Sequence, residues 1–329
     1  MIYQGRTGAA FLVLFTSFAL LAGFSLCRGS VDIPLPRVFS ILGGREKGVG
    51  AEIVLNIRLP RILMAAFTGM MLSIAGTVSQ AVFRNPLADP YIVGISAGAS
   101  AGAAAAFLLG LPDLYFGVSA FVTALGTAFL IFRLSALRGG TDTGTLLIIG
   151  IAVSAFLSAF TSLGMYFAGQ DSYRVMLWTM GYLGGASWRK VIILSAPLIT
   201  ASAWFLYRRH DIDALLLSDE EAHSLGVNVG TLKRRLLMMV SFITAFSVAF
   251  AGMIGFVGLI VPHIIRLCTG SSHSRLLPLA GLAGGVFLLF ADTLARSLLS
   301  PVEIPIGIVT AFFGAPFFIF LAIRSGRPL

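Results

Sequence analysis

An all-α integral membrane protein of about ten transmembrane helices is the fold this sequence predicts, on three observations. Of its 329 residues, 57% are hydrophobic and only 11% are charged, against roughly 25% charged in a soluble domain. The mean hydropathy is +0.94. Apolar runs of spanning length follow one another along the chain, separated by short polar joints. A water-soluble protein of this composition would expose more apolar surface than solubility tolerates. Disorder, coiled coil and disulfide scaffold are excluded by the same figures. At about 20 residues per span, little mass is left outside the bilayer, so residues 1–329 read as a single transmembrane domain.

The spans are expected near 9–27, 60–83, 91–109, 116–133, 145–168, 191–207, 276–297 and 303–323, each bounded by charge, Pro or Gly. Arg6 and the apolar run from Ala9 to Cys27 resemble a signal peptide, but the run is longer than a signal core. Leu26 also stands before Cys27 where a lipoprotein cleavage site needs a small residue. It reads as the first span. The stretch Leu236 to Leu267 is too long for one span and short for two with a loop. Gly252, Gly255, Gly258 and Pro262 interrupt its second half. One full helix near 235–250 is therefore expected, then a shorter broken one ending near Leu267. Irregular backbone at membrane depth is tolerated only against protein or a cavity. On the third span, Gly94, Gly98 and Gly102 recur every four residues, the spacing that lets helices approach closely in lipid.

Ten spans put both termini on one side. Counting Lys and Arg in the joints places that side in the cytoplasm, with the long 28–61 connection outside. The net charge of +9 then belongs to helix flanks and anionic headgroups. Nucleic acid is excluded as a partner, because no basic run is interleaved with aromatics. Cys27 and Cys268 fall at the ends of different apolar segments and read as unpaired.

Three joints carry information. The longest inner loop, 208–235, holds Ser218 with Glu221 three residues on, a capping-box pattern, and Gly226 as a stop. A short surface helix is expected there, with Ala222 and Leu225 on one apolar face suited to a cytoplasmic partner. Arg84-Asn85-Pro86-Leu87-Ala88-Asp89-Pro90-Tyr91 reads as a rigid inner hairpin, since two prolines forbid a helix through it. On the outer face, Arg58-Leu59-Pro60-Arg61 places two guanidiniums at the mouth of the second span, and Arg296 follows Asp292 by one turn. Arginines near helix ends commonly snorkel or pair locally. The four histidines lie in loops or at helix ends without ligand spacing, and no P-loop is present. The chain is expected neither to bind a metal or cofactor nor to hydrolyse ATP itself.

Several of these strings, in order, resemble the permease family of type II ABC importers. They are Arg58-Leu59-Pro60-Arg61, Gly76 with Gln80, Asn85 to Pro90, Gly94 to Ala99, Gly255 to Arg266, Ala291 to Arg296 and Glu303 to Phe318. Such permeases import ferric siderophores, haem or cobalamin. The resemblance implies a homodimer of ten-helix subunits in a prokaryotic cytoplasmic membrane, two cytoplasmic ATPase subunits that use ATP and Mg, and an extracytoplasmic substrate-binding protein. It assigns Arg58, Arg61 and Arg296 to carboxylates of the binding protein at a wet rim. Coupling helices at about 211–230 would meet the ATPase through Leu217, Ser218, Asp219, Glu220, Ala222, Leu225, Gly226 and Val227. The fifth span would line the pathway at the dimer axis. Asn85, Leu87, Thr143 and Gly144 would form the inner gate, with Gly144 leaving a smaller plug than a side chain would. The cargo expected first is a ferric siderophore, then cobalamin, then haem.

The alternative from another class is a secondary transporter or channel without ATPase partners. Ion-coupled carriers need ionisable groups at mid-membrane. The strong intramembrane acid here is Asp292, near a helix end and beside Arg296. An intramembrane enzyme would need a nucleophile or metal constellation that the sequence lacks.

Overall fold

A computed structural model describes residues 2–29, 31–112, 114–137, 143–169, 172–300 and 302–324, and the fold is helical throughout them. In chain order the α-helices are α1 (Ile2–Cys27), α2 (Leu35–Leu42), α3 (Val49–Glu52), α4 (Leu59–Val82), α5 (Ile95–Leu108), α6 (Leu114–Ala136), α7 (Thr143–Ala168), α8 (Ser172–Thr179), α9 (Trp188–Tyr207), α10 (Arg209–Ala214), α11 (Asp219–Ser224), α12 (Val229–Ala251), α13 (Val257–Thr269), α14 (His273–Ser297) and α15 (Ile306–Arg324). Seven of the expected spans are helices long and apolar enough to cross a membrane. The other three are the shorter apolar α5, α13 and α15. Cys27 and Cys268 are free thiols at the ends of α1 and α13.

Two boundaries differ from expectation, each for a local reason. The second span does not begin at Pro60. A π-helical turn, Ile53–Arg58, joins α3 to α4 without a break, so the helix runs Val49–Val82. Glu52 is accommodated inside it by accepting from Asn56 Nδ2 at 2.8 Å. The third span starts later than 91, because Pro90–Val93 forms a 3₁₀ turn and Gly94 takes a left-handed conformation (φ 74°). The interrupted stretch is as expected: α12 ends at Ala251, residues 252–256 are irregular, and α13 follows.

The centre of the molecule is α4, which is almost wholly buried against α14, α13 and α12. Its closest approaches are made at glycine. A Cβ on Gly76 would fall on the backbone of Gly258, and one on Gly69 would fall on the carbonyl of Gly284. With no hydrophobic drive between helices in lipid, such backbone approach supplies the dispersion contact that holds the bundle. The Gly98 and Gly102 spacing does the same for α5, where added Cβ atoms would strike Thr127, Thr123 and Ser119 of α6.

Candidate functional site

Two ends of the bundle collect the polar side chains, and α4 reaches both. At its N-terminal end, Arg61 lies between two acids from distant sequence. Its Nε donates to Asp292 Oδ1 at 2.9 Å, and its Nη1 donates to Glu303 Oε1 at 2.9 Å. Asp292 in turn stands 3.4 Å from Arg296 Nε. Arg296 Nη1 donates to the Arg28 carbonyl at 2.9 Å, and its Nη2 to the Ser25 carbonyl at 2.8 Å and to Ser25 Oγ. Arg58 donates to the carbonyls of Leu26, at 2.5 Å, and Val31. Gly29 leaves room for both guanidiniums: a Cβ there would lie 2.9 Å from Arg58 Nη2 and 3.4 Å from Arg296 Nη1.

The three arginines do cluster, but the wet rim is corrected. Arg58, Arg61 and Arg296 are 4%, 8% and 6% exposed, and each is engaged by the chain itself. The cause is that four elements converge there, so carbonyls at the end of α1 and the carboxylates of Asp292 and Glu303 take the donors. Glu303 was not singled out from sequence, although an acid between Val302 and Ile304 in so apolar a chain is a signal in itself. Arg58→Glu is accordingly expected to lower folded yield and thermal midpoint, because a carboxylate would face the Leu26 and Val31 carbonyls. Normal stability of that variant, measured by size exclusion and thermal melting in detergent, would contradict this.

At the other end of α4, Arg84 takes a left-handed conformation (φ 48°) and reaches the 208–229 segment. Its Nε donates to the Leu215 carbonyl at 2.6 Å and its Nη2 to Asp219 Oδ1 at 2.5 Å. Lys233 Nζ approaches the same carboxylate at 3.3 Å. The hairpin is built as its residues dictate. Asn85 Oδ1 accepts from the Leu87 amide at 2.9 Å, and Asp89 Oδ1 from the Tyr91 amide at 2.8 Å. The Tyr91 hydroxyl then donates to the Ile254 carbonyl at 3.2 Å. That bond ties the hairpin to the irregular 252–256 segment and satisfies a carbonyl the broken helix frees. Asn85 is exposed and Leu87 half-buried. Gly144 is exposed at the start of α7, and the Thr143 side chain lies outside the described residues.

The surface segment holds two short helices, α10 and α11, of which α11 is the expected capped one. Ser218 caps α11: its Oγ accepts from the Glu221 amide at 3.1 Å, and Glu221 Oε2 accepts from the Ser218 amide at 2.9 Å. The shared apolar face of Ala222 and Leu225 is corrected. Ala222 is 0% exposed whereas Leu225 is 67% exposed, because the helix ends at Ser224 and Leu225 turns away as its C-cap. Leu216 and Leu217 join Leu225 in exposure, as do Asp219, Glu220 and Gly226, while Val227 is half-buried.

Asp213 of α10 fixes this segment to the bundle. Its carboxylate accepts from the His273 amide at 2.9 Å and pairs with His273 Nδ1 at 2.6 Å, so it caps the first turn of α14 from outside. Burial would raise its pKa, but the hydrogen bonds from His273 outweigh this and hold it below the ordinary carboxylate value. A depressed carboxylate contributes stability that is present in full above its unfolded pKa of about 3.9 and is lost as pH falls through the lower folded value. The thermal midpoint should therefore fall on acidification below about pH 4, and Asp213→Asn should flatten that fall. An identical slope in the variant would sink the assignment.

With the geometry in place, the comparisons with known proteins decide the family. The sequence model of the FecCD transport family matches residues 16–324. The chain belongs to the FecCD transport family. A cobalamin import system permease of Halobacterium salinarum is 46% identical over 272 residues, covering 82% of this chain and 73% of its own length. A hemin transport system permease of Yersinia pestis is 42% identical over 281 residues, covering 83% of this chain and 84% of its own. A vitamin B12 import system permease of Citrobacter koseri is 38% identical over 329 residues, covering 98% and 97%. Among solved structures, one described as a metal-chelate type ABC transporter in an inward-facing conformation superposes with a TM-score of 0.86 at 32% identity, covering 95% of this chain and 98% of that one. This FecCD chain is thus an ABC importer permease with the fold that its resemblance implied.

Proposed function

We propose that this FecCD chain is the translocating subunit of an ATP-driven importer, which passes a metal chelate from a binding protein to the cytoplasm by alternating access. The observation that carries the reading is the near full-length likeness to permeases named for cobalamin and haem. Those names favour a corrin or porphyrin chelate over a ferric siderophore as cargo. The ATPase subunits, which bind ATP and Mg, dock at the Arg84 end. Leu216, Leu217 and Leu225 stand there as exposed apolar groups on a capped, anchored segment. The binding protein docks at the Arg61 end, which faces the outside by the distribution of Lys and Arg. Its carboxylate would exchange with Glu303, whose side chain is 38% exposed.

A second copy of the chain would cover α7. Among the seven long spans it shares the most apolar stretch with α1, yet only 17% of that stretch is buried. Ile148, Ile151 and Phe156 are each more than half exposed along it. An ion-coupled carrier is disfavoured because Asp292, the acid inside α14, is already paired with Arg61 and Arg296.

Leu225→Asp tests the coupling contact. It should leave the chain folded, weaken ATPase co-purification by about 2–4 kcal/mol of binding, and stop uptake. Ala222→Asp should instead destabilise the chain, since it would bury a charge inside the subunit. Wild-type co-purification and uptake by the Leu225→Asp complex would refute the coupling contact.

A further inference from the structure

Between α9 and α12, near the Arg84 end, a groove of about 380 Å³ opens on the flank of the bundle. It is lined by Trp204 of α9 and by Arg235, Met238, Met239 and Phe242 of α12. The four α12 residues follow the spacing of one helix face. From Arg235 to Phe242 the groove runs about 10 Å along the helix axis, from a cationic mouth to an aromatic floor. The mouth stands at an interfacial level: Tyr207 and Arg208 end α9 there, with the guanidinium 5.3 Å from the tyrosine ring centre. Aromatic and cationic residues gather at that depth of a bilayer.

Arg235 is exposed, and no carboxylate among the described residues pairs with it. The aspartates of the adjoining segment are engaged elsewhere: Asp211 with Arg208, Asp213 with His273, and Asp219 with Arg84 and Lys233. An unpaired guanidinium over an apolar slot needs an occupant with an anionic head joined to an apolar body. We propose that the groove holds an acyl chain of an anionic phospholipid whose phosphate sits on Arg235. The chemistry fits at each level. The guanidinium offers a planar fork to phosphate oxygens, and Met238 and Met239 supply a deformable wall. Basic pockets between membrane helices on the cytoplasmic side select acidic headgroups. This site is independent of the cargo and of the coupling contact.

Native mass spectrometry of the full-length chain, released from detergent after incubation with dioleoyl phosphatidylglycerol, dioleoyl phosphatidylcholine or inorganic phosphate, tests it. The expected result is one retained phosphatidylglycerol per chain, in preference to phosphatidylcholine, with no effect of phosphate alone. Arg235→Gln should lower that retention about fivefold. Arg234→Gln, an exposed neighbour that does not line the groove, should leave it unchanged. Since both side chains are exposed, the thermal midpoints in detergent alone should match the wild type. Equal loss in both variants would show general attraction to a basic surface and overturn the site. Equal retention of phosphatidylcholine, or displacement of the lipid by inorganic phosphate, would overturn it too. Loss of a chain dimer specific to Arg235→Gln would give the groove to a second copy instead.

Discussion

Asp292→Ala is expected to cost about 3–5 kcal/mol of folding stability. The carboxylate is 0% exposed and lies between two guanidiniums, those of Arg61 and Arg296. Removing it leaves both cations short of their buried counter-ion, and an uncompensated buried charge is far more costly than an intact pair is stabilising. Arg61 retains Glu303, but that side chain is 38% exposed and screened by water. Arg296 retains only neutral oxygens of Ser25 and Arg28. Glu303→Gln should therefore be much milder than Asp292→Ala. Thermal melting of the purified chain in one detergent checks the order. Equal effects of the two substitutions would mean that Asp292 is no more a keystone than a surface acid.

Gly76→Leu is expected to be damaging as well, at or beyond the top of the range of about 1–3 kcal/mol for overpacking a core. Added atoms would meet the main chain of Gly258, with its Cα 2.6 Å from the new Cβ. Backbone cannot rotate away as a side chain can, so α4 and α13 would have to separate. That movement would also strain the Gln80 bond to the Leu259 carbonyl, 3.0 Å long. Gly23→Leu in α1 is the matched control, because nothing lies within 4 Å of a Cβ there. Folded yield by fluorescence-detected size exclusion should collapse for the first and hold for the second. Comparable yields would show that the α4–α13 contact tolerates separation.

Much of this was legible in sequence, and the reasons are physical. The spans were readable because lipid demands unbroken apolar helices, and the break after Ala251 was readable because Gly252 and Gly255 fall within it, whereas Gly258 and Pro262 are carried inside α13. The Ser218 capping box was readable because it is a contact between residues three apart. The start of the second span was not, since Glu52 and Arg58 look like loop residues until Asn56, Leu26 and Val31 are seen to satisfy them. Likewise the Asp292–Arg296 pair is one helical turn, whereas Arg61 meets Asp292 across 231 residues. That long-range closure turned an expected solvent-facing arginine cluster into a buried one. The burial of Ala222 was not readable for a smaller reason, since it comes from the packing of α11 on α12 rather than from the residue pattern, while Leu225 is exposed as expected.

The most direct test of the importer reading is uptake into liposomes. The chain would be reconstituted with its ATPase subunits and the loaded binding protein outside, and cobalamin, haem and a ferric siderophore followed in turn. Accumulation that requires both internal ATP and the binding protein, for cobalamin or haem, is the expected result. Equal uptake by the chain alone, without ATPase subunits or ATP, would contradict it and make the protein a secondary carrier.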